Sequence, residues 1–133
     1  MRLRSGIPVL GCADVEKSLA FYRQALQFVI LKKRNGAAGL EWVYLQSGDS
    51  LLMLEKSTLP AANKQCGNRI YFFTDDVDGM HHLLKAKGFA TTDIVETPYM
   101  HEFDLYDPDG QRLTIGQRVS EKERVSEKAG KRD

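Results

Sequence analysis

The side chains able to do chemistry in this sequence are few, and their spacing excludes most catalytic constellations. His81 and His82 are adjacent, and neighbours on a helix lie about 100° apart, too far round to hold one ion together. His101 stands close to Tyr99 ahead of a β-rich run, a candidate general base with no partner marked by the sequence. Cys12 and Cys66 are too few for a disulfide framework and lack the paired spacing of a metal knuckle. They read as small buried hydrophobes rather than nucleophiles. No Gly-x-Ser-x-Gly elbow, phosphate loop or Gly-x-Gly-x-x-Gly occurs, so no cofactor is expected.

What remains is an alternation of aromatic and polar residues with aliphatic ones. Strand side chains point to opposite faces in turn. If Leu52 and Leu54 pack under a helix, then Leu51, Met53 and Glu55 face the other way. Trp42, Tyr44 and Gln46 join that face, leaving Val43 and Leu45 for the core. In the second half, Arg69, Tyr71 and Phe73 alternate with Ile70 and Phe72, and Asp104, Tyr106, Arg112 and Thr114 complete the lining. Aromatic walls with a few polar groups suit a flat, partly polar small molecule. The candidate ligand-binding residues are Trp42, Tyr44, Met53 and Glu55, then Tyr71 and Phe73, then Tyr99, His101, Asp104 and Thr114. A partner subunit would cover Trp42 as well as a ligand would. Glu55 and Asp104 read either as pocket carboxylates or as solvated strand positions.

These positions require strands, and the strands require helices to cover one face. Ile7–Gly11 is a short apolar run. Asp14 then caps a helix whose stripe is Val15, Leu19, Tyr22 and Leu26. Phe28–Leu31 is β-rich and leads into 32–36, Lys-Lys-Arg-Asn-Gly, a polar turn. Leu40–Gln46 and Leu51–Glu55 form a hairpin through Ser-Gly-Asp-Ser at 47–50. A linker covers 57–67. The order then recurs: strand 69–73, a helix capped by Asp76 and stopped by Gly88, a weak strand 92–97, and strands 102–106 and 111–115 joined by Asp107-Pro108-Asp109-Gly110. Asp14-Val15 answers Asp76-Val77 at an offset of 62, and Phe28 answers Phe89 at 61, the signature of an internal repeat.

The 133 residues are the length of one domain, with 42% hydrophobic and 28% charged residues. The balance of 19 basic against 18 acidic side chains excludes a strongly basic nucleic-acid binder. Six basic and four acidic residues fall in 118–133, leaving a body of about −1 and a tail of +2. That tail has no aromatic residue and reads as disordered. No apolar run approaches a membrane span, and the N-terminus lacks the apolar core of a signal peptide, so a soluble cytoplasmic protein with neither membrane nor nucleic-acid partners is expected.

The duplicated βαβββ order, with Asp14-Val15-x-x-Ser18-x-x-Phe21-Tyr22 in the first helix and Asp107-Pro108-Asp109-Gly110 before the last strand, resembles the vicinal oxygen chelate superfamily over roughly 7–117. That superfamily includes glyoxalase I, extradiol dioxygenases and the fosfomycin- and bleomycin-resistance proteins. Ile7-Pro8-Val9-Leu10 and Pro98-Tyr99-x-x-Glu102-Phe103 look closest to the bleomycin-resistance branch. The resemblance implies an α+β fold of two tandem modules, about 7–56 and 68–117, making a curved mixed sheet with a cleft and helices on the outer face. It also implies a homodimer, with the segment up to Pro8 exchanged between protomers or serving as a simple edge strand. Metalloenzymes of the superfamily draw His and carboxylate ligands from four strands; the matching positions here are Ile7, Met53, Arg69 and Thr114. Such a set is no conventional metal site. A metal-independent small-molecule binding protein, for an antibiotic or an aromatic metabolite, is therefore expected, with a glyoxalase-like lyase, isomerase or dioxygenase-related enzyme of atypical site as the alternative. Bleomycin is cationic, and a nearly neutral body with Lys32-Lys33-Arg34 at the expected rim argues against it as the ligand.

Overall fold

The computed structural model describes residues 1–58 and 67–119. Two helices and eight strands follow the expected order: β1 (Val9–Cys12), α1 (Val15–Leu26), β2 (Val29–Gly36), β3 (Gly39–Ser47), β4 (Ser50–Lys56), β5 (Arg69–Phe73), α2 (Val77–Ala86), β6 (Val95–Glu96), β7 (Met100–Tyr106) and β8 (Arg112–Arg118). They make two four-stranded mixed sheets, ordered β1-β4-β3-β2 and β5-β8-β7-β6. Both sheets run first, fourth, third, second, with a parallel first–fourth pair. The fold is α+β, and the repeat read from the sequence is a repeat of topology. Two compact units result, Met1–Asn68 with Asp107–Gln111, and Arg69–Tyr106 with Arg112–Asp133.

In the first unit Asp14 caps α1 by accepting from the Lys17 N–H at 3.2 Å. The helix covers the face carrying Val43, Leu45, Leu52 and Leu54, all fully buried. Burying one such side chain contributes roughly 1.5–3 kcal/mol. Ser47 ties the hairpin to the helix end, its hydroxyl donating to the Leu26 carbonyl at 2.9 Å. The two-residue loop between Ser47 and Ser50 places Gly48 at φ 57°. Pro8 lies just ahead of edge strand β1, its carbonyl accepting from the Met53 N–H at 3.0 Å. The missing N–H of a proline costs nothing there.

Buried Tyr22 of α1 donates its hydroxyl to Asp107 Oδ2 at 2.7 Å. The other carboxylate oxygen accepts from the backbone N–H groups of Asp109 and Gln111 at 2.8 and 2.9 Å. Asp109 in turn accepts from the Ala13 N–H and the Ser18 hydroxyl. These contacts explain Ser18 and Tyr22 in the helix signature and the two aspartates of the Asp-Pro-Asp-Gly turn. Burial, and then Asp107, hold the Tyr22 phenol far above its usual titration range.

In the second unit α2 is capped by Asp76, which accepts from the Gly79 N–H at 2.9 Å, and covers Phe103, Leu105, Leu113 and Ile115. His81 lies edge-on to Phe103 at 4.8 Å, and His82 is exposed.

The structure moves several expected boundaries. The 32–36 run is not a turn: β2 continues through Gly36, pairing Lys32 with Tyr44 and Arg34 with Trp42, and the turn falls at 37–38. Pairing with β3 overrides the polar composition, and charged side chains suit an edge strand. The expected strand at 92–97 shrinks to Val95–Glu96, because the Thr92 hydroxyl takes the Asp104 N–H at 2.8 Å where a backbone carbonyl would serve. Strand β7 starts at Met100, so His101 lies in a strand rather than a loop. Strand β8 runs to Arg118 and Val119 is buried, so order extends past 117. The expected disorder of the rest of the tail, the linker from 59 to 66 and Cys66 lie outside the described residues.

Two stability predictions follow from these contacts. Helix α1 ends on Gln27 at φ 58°, where the repeat places Gly88 at φ 89° after α2. Gln27→Gly should raise the urea midpoint by about 1 kcal/mol equivalent, since glycine relieves the left-handed strain; a loss of stability would contradict it. Tyr22→Phe should cost about 1–3 kcal/mol by leaving a buried carboxylate oxygen without its donor, with no change in denaturant slope.

Candidate functional site

On the first sheet, the side away from α1 carries Trp42, Tyr44 and Gln46 from β3 opposite Glu55, Met53 and Leu51 from β4. Val9 of β1 lies beside Met53. The Trp42 and Tyr44 rings stand 6.3 Å apart at an interplanar angle of 35°. From β2, the Arg34 guanidinium lies over the Trp42 ring at 5.7 Å, a cation–π distance. The register brings Lys32 beside Tyr44. Trp42, Tyr44 and Met53 are half-buried and Glu55 is exposed.

The second sheet presents a comparable face with more internal bonding. Tyr71 and Phe73 of β5 lie 5.0 Å apart, with Arg69 over Tyr71 at 5.5 Å and Arg118 over Phe73 at 4.4 Å. The Tyr71 hydroxyl donates to Glu102 Oε1 at 3.4 Å, while Arg69 pairs with Oε2 at 3.4 Å. To reach β7 the tyrosine ring crosses β8 above Gly116, where any Cβ would collide with its hydroxyl end. Glycine in this strand is thus a notch for a side chain. One strand pair along, Asp104 accepts from Arg112 Nε at 2.9 Å and from the Thr114 hydroxyl at 2.6 Å. Burial first, and Glu102 next, raise the Tyr71 phenol above its ordinary value of 10.0.

The structure therefore groups the sequence-derived candidates on two faces: Trp42, Tyr44, Met53 and Glu55 on the first sheet, and Tyr71, Phe73, Asp104 and Thr114 on the second. Two stand apart from these groups. His101 has the parity of Phe103 and Leu105 and so sits on the helix side of β7, with Nε2 buried and without a hydrogen-bond partner among the described residues. Tyr99 is at the tip of the β6–β7 turn, 66% exposed. Sequence reasoning passed over Glu102, Gly116 and Arg118. The signal for Glu102 was present, since it shares the parity of Asp104. Arg118 was hidden because β8 was expected to end at Ile115.

The four positions matching the superfamily's metal ligands do not fit a metal. Ile7 and Met53 offer no hard donor, Arg69 is engaged with Glu102, and the Thr114 hydroxyl donates to Asp104. Among the described residues, no group of three His, Cys, Asp or Glu side chains is placed to hold an ion.

The raised Tyr71 phenol gives a pH test. The neutral hydroxyl is favoured in the folded state, so its contribution to stability is complete below about pH 10 and is lost as pH climbs through the higher folded value. Near-ultraviolet titration of wild type against Tyr71→Phe should show the difference phenol ionising late. Glu102→Gln and Gly116→Ala should each bring it part of the way down. An unchanged titration in Glu102→Gln would refute the pairing.

Residues 6–115 match the family described as Glyoxalase/Bleomycin resistance protein/Dioxygenase superfamily. No curated protein sequence matches the chain. Among solved structures, TnmS3, an antibiotic binding protein from Streptomyces sp. CB03234, is similar at 25% identity and TM-score 0.70, covering 90% of this chain and 100% of its own. A bleomycin-binding protein complexed with bleomycin is similar at 22% identity and TM-score 0.69, covering 88% and 100%. The fosfomycin resistance protein FosX from Listeria monocytogenes is similar at 16% identity and TM-score 0.71, covering 93% and 99%. With the repeat, both sheet orders and the family match in agreement, this chain belongs to the Glyoxalase/Bleomycin resistance protein/Dioxygenase superfamily.

Proposed function

We propose that this chain is a metal-independent binding protein for a planar, partly polar small molecule, an antibiotic or an aromatic metabolite. The observation that carries the reading is the composition of the helix-distal faces: each carries an adjacent pair of aromatic rings, half-buried at Trp42, Tyr44 and Tyr71 and exposed at Phe73, and the second adds hydrogen-bonded polar groups beside them. Rings supply large, rigid contact area at little entropic cost, and a few fixed polar groups orient what stacks on them. The misfit of Ile7, Met53, Arg69 and Thr114 to a metal supports binding over metal-assisted turnover. Two of the similar structures are named for binding an antibiotic or bleomycin, which supports the class of ligand. Trp42, Tyr44 and Met53 of the first sheet and Tyr71, Phe73 and Asp104 of the second are the binding residues in this reading, with fully buried Thr114 orienting Asp104; Tyr99, Glu55 and His101 are peripheral to it.

The same reading includes a homodimer in the cytoplasm. Its support is the N-terminal segment, where Met1–Gly6 are all exposed, leaving them available to a second protomer ahead of the anchor at Pro8. No helix among the described residues is long and apolar enough to cross a membrane.

Trp42 is the single tryptophan, so its fluorescence reports the first face directly. An uncharged anthraquinone should quench it saturably; with calorimetry as the readout for the variant, which has no tryptophan, Trp42→Ala should weaken binding by about tenfold, the loss of roughly 1.4 kcal/mol of ring contact. Bleomycin should give no heat on titration. Purified protein should carry no stoichiometric metal; Ni, Zn, Mn or Fe at one per chain, or chemical conversion of the bound compound, would overturn the binding-only reading in favour of an enzyme.

A further inference from the structure

Each sheet carries one arginine placed over an aromatic ring at cation–π distance, without a carboxylate partner among the described residues. Arg34 of β2 lies over Trp42 at 5.7 Å, and Arg118 of β8 lies over Phe73 at 4.4 Å. The other two arginines of the second face differ: Arg69 is paired with Glu102, and Arg112 with Asp104. On the first face the register sets two cations, Lys32 and Arg34, against one carboxylate, Glu55. Glu55 is exposed and stands on β4, separated from β2 by β3. The guanidinium over Trp42 is therefore held in place by the ring rather than neutralised.

We propose that Arg34 and Trp42 together select a planar aromatic anion. This rests on the reading that the Trp42 face takes a planar ligand, and it adds the sign of that ligand's charge. The physical reason is geometric. A guanidinium lying on a ring is planar and presents N–H donors at its edge. An arene that stacks beside it on Trp42 and Tyr44 brings a carboxylate, sulfonate or phenolate substituent within reach of that edge. A cationic arene in the same position meets Arg34 and Lys32 with like charge. Specificity then comes as much from repelling cations as from attracting anions. The helix-distal face of the second sheet repeats the motif at Arg118 and Phe73, where Phe73 is 58% exposed. Its two carboxylates are already engaged by arginine and threonine donors, so neither is left to attract a cation.

The experiment compares an anthraquinone carboxylate with the matching uncharged carboxamide, both followed by Trp42 fluorescence and by calorimetry on the full chain. At low salt the carboxylate should bind about tenfold or more tightly than the carboxamide, and the advantage should shrink in high salt as the exposed charge is screened. Arg34→Gln should abolish the preference while leaving carboxamide affinity within about twofold, which also shows that the variant is folded. Arg34→Lys should retain part of the preference. Equal binding of the two probes would overturn the charge assignment and leave the aromatic-binding function standing. Failure of both probes to bind would overturn the underlying function with it. A preference that survives Arg34→Gln and falls in Arg118→Gln would overturn the assignment to Arg34.

Discussion

One constraint governs this structure: each four-stranded sheet has a single helix, so only one of its faces is covered from within its own βαβββ unit. Strand alternation then splits every strand into two sets of residues with different duties. The covered set is aliphatic and fully buried, as at Val43, Leu45, Leu52 and Leu54 under α1 and at Leu113 and Leu105 under α2. Each fully buried side chain of this set contributes roughly 1.5–3 kcal/mol, whereas the rings and ion pairs of the opposite face are only partly buried. A slip of one residue would exchange the sets wholesale. The covered face therefore fixes the register, and the other face is free to carry residues chosen for chemistry.

That division explains what could be read from the sequence. Parity alone placed Trp42, Tyr44, Met53, Tyr71, Asp104 and Thr114 on the sides the structure shows, because the aliphatic partners Val43, Leu54 and Ile70 alternate cleanly with them. The caps Asp14 and Asp76 and the stop at Gly88 were equally legible, since each is a local bond or a local dihedral angle. What escaped is tertiary. The 32–36 run is turn-like by composition, and only the Val43–Tyr44 side of β3 makes it a strand. His101 was judged by its neighbours in sequence, whereas the two extra residues at the start of β7 put it in the parity of Phe103. Glu102 carries no sign in the sequence that Tyr71 will cross a neighbouring strand to reach it. The crossing depends on Gly116, and a glycine reports its role only once the side chain lying over it is known.

The buried Asp107 carboxylate shows how such motifs come to look specific. Its three acceptor contacts, to the Tyr22 hydroxyl and to the Asp109 and Gln111 amides, fill most of what an ionised carboxylate can accept. Asparagine would supply two unwanted donors in place of one carboxylate oxygen. The family signature in the helix and the signature in the turn are thus two halves of one hydrogen-bond network within the first unit. They say nothing about ligand chemistry. Membership of the superfamily rests on the match over residues 6–115, while function has to be argued from the face that the network does not touch.

Comparison of the two modules separates inheritance from selection on that face. The shared features are architectural: equal strand order, a capped helix, a left-handed residue after the helix. The arginine–aromatic stacks are shared in kind but not in position. In the first module the arginine comes from the second strand and the ring from the third. In the second module the arginine comes from the fourth strand and the ring from the first. The two stacks are therefore not one contact repeated by the duplication. The edge strands differ in the same sense, since β2 has eight residues and carries Lys32 and Arg34 while β6 has two and carries neither. Cation–π attraction favours an arginine over a ring wherever the strands bring the two within reach, so the recurrence follows from partly exposed rings on the helix-distal side of both modules.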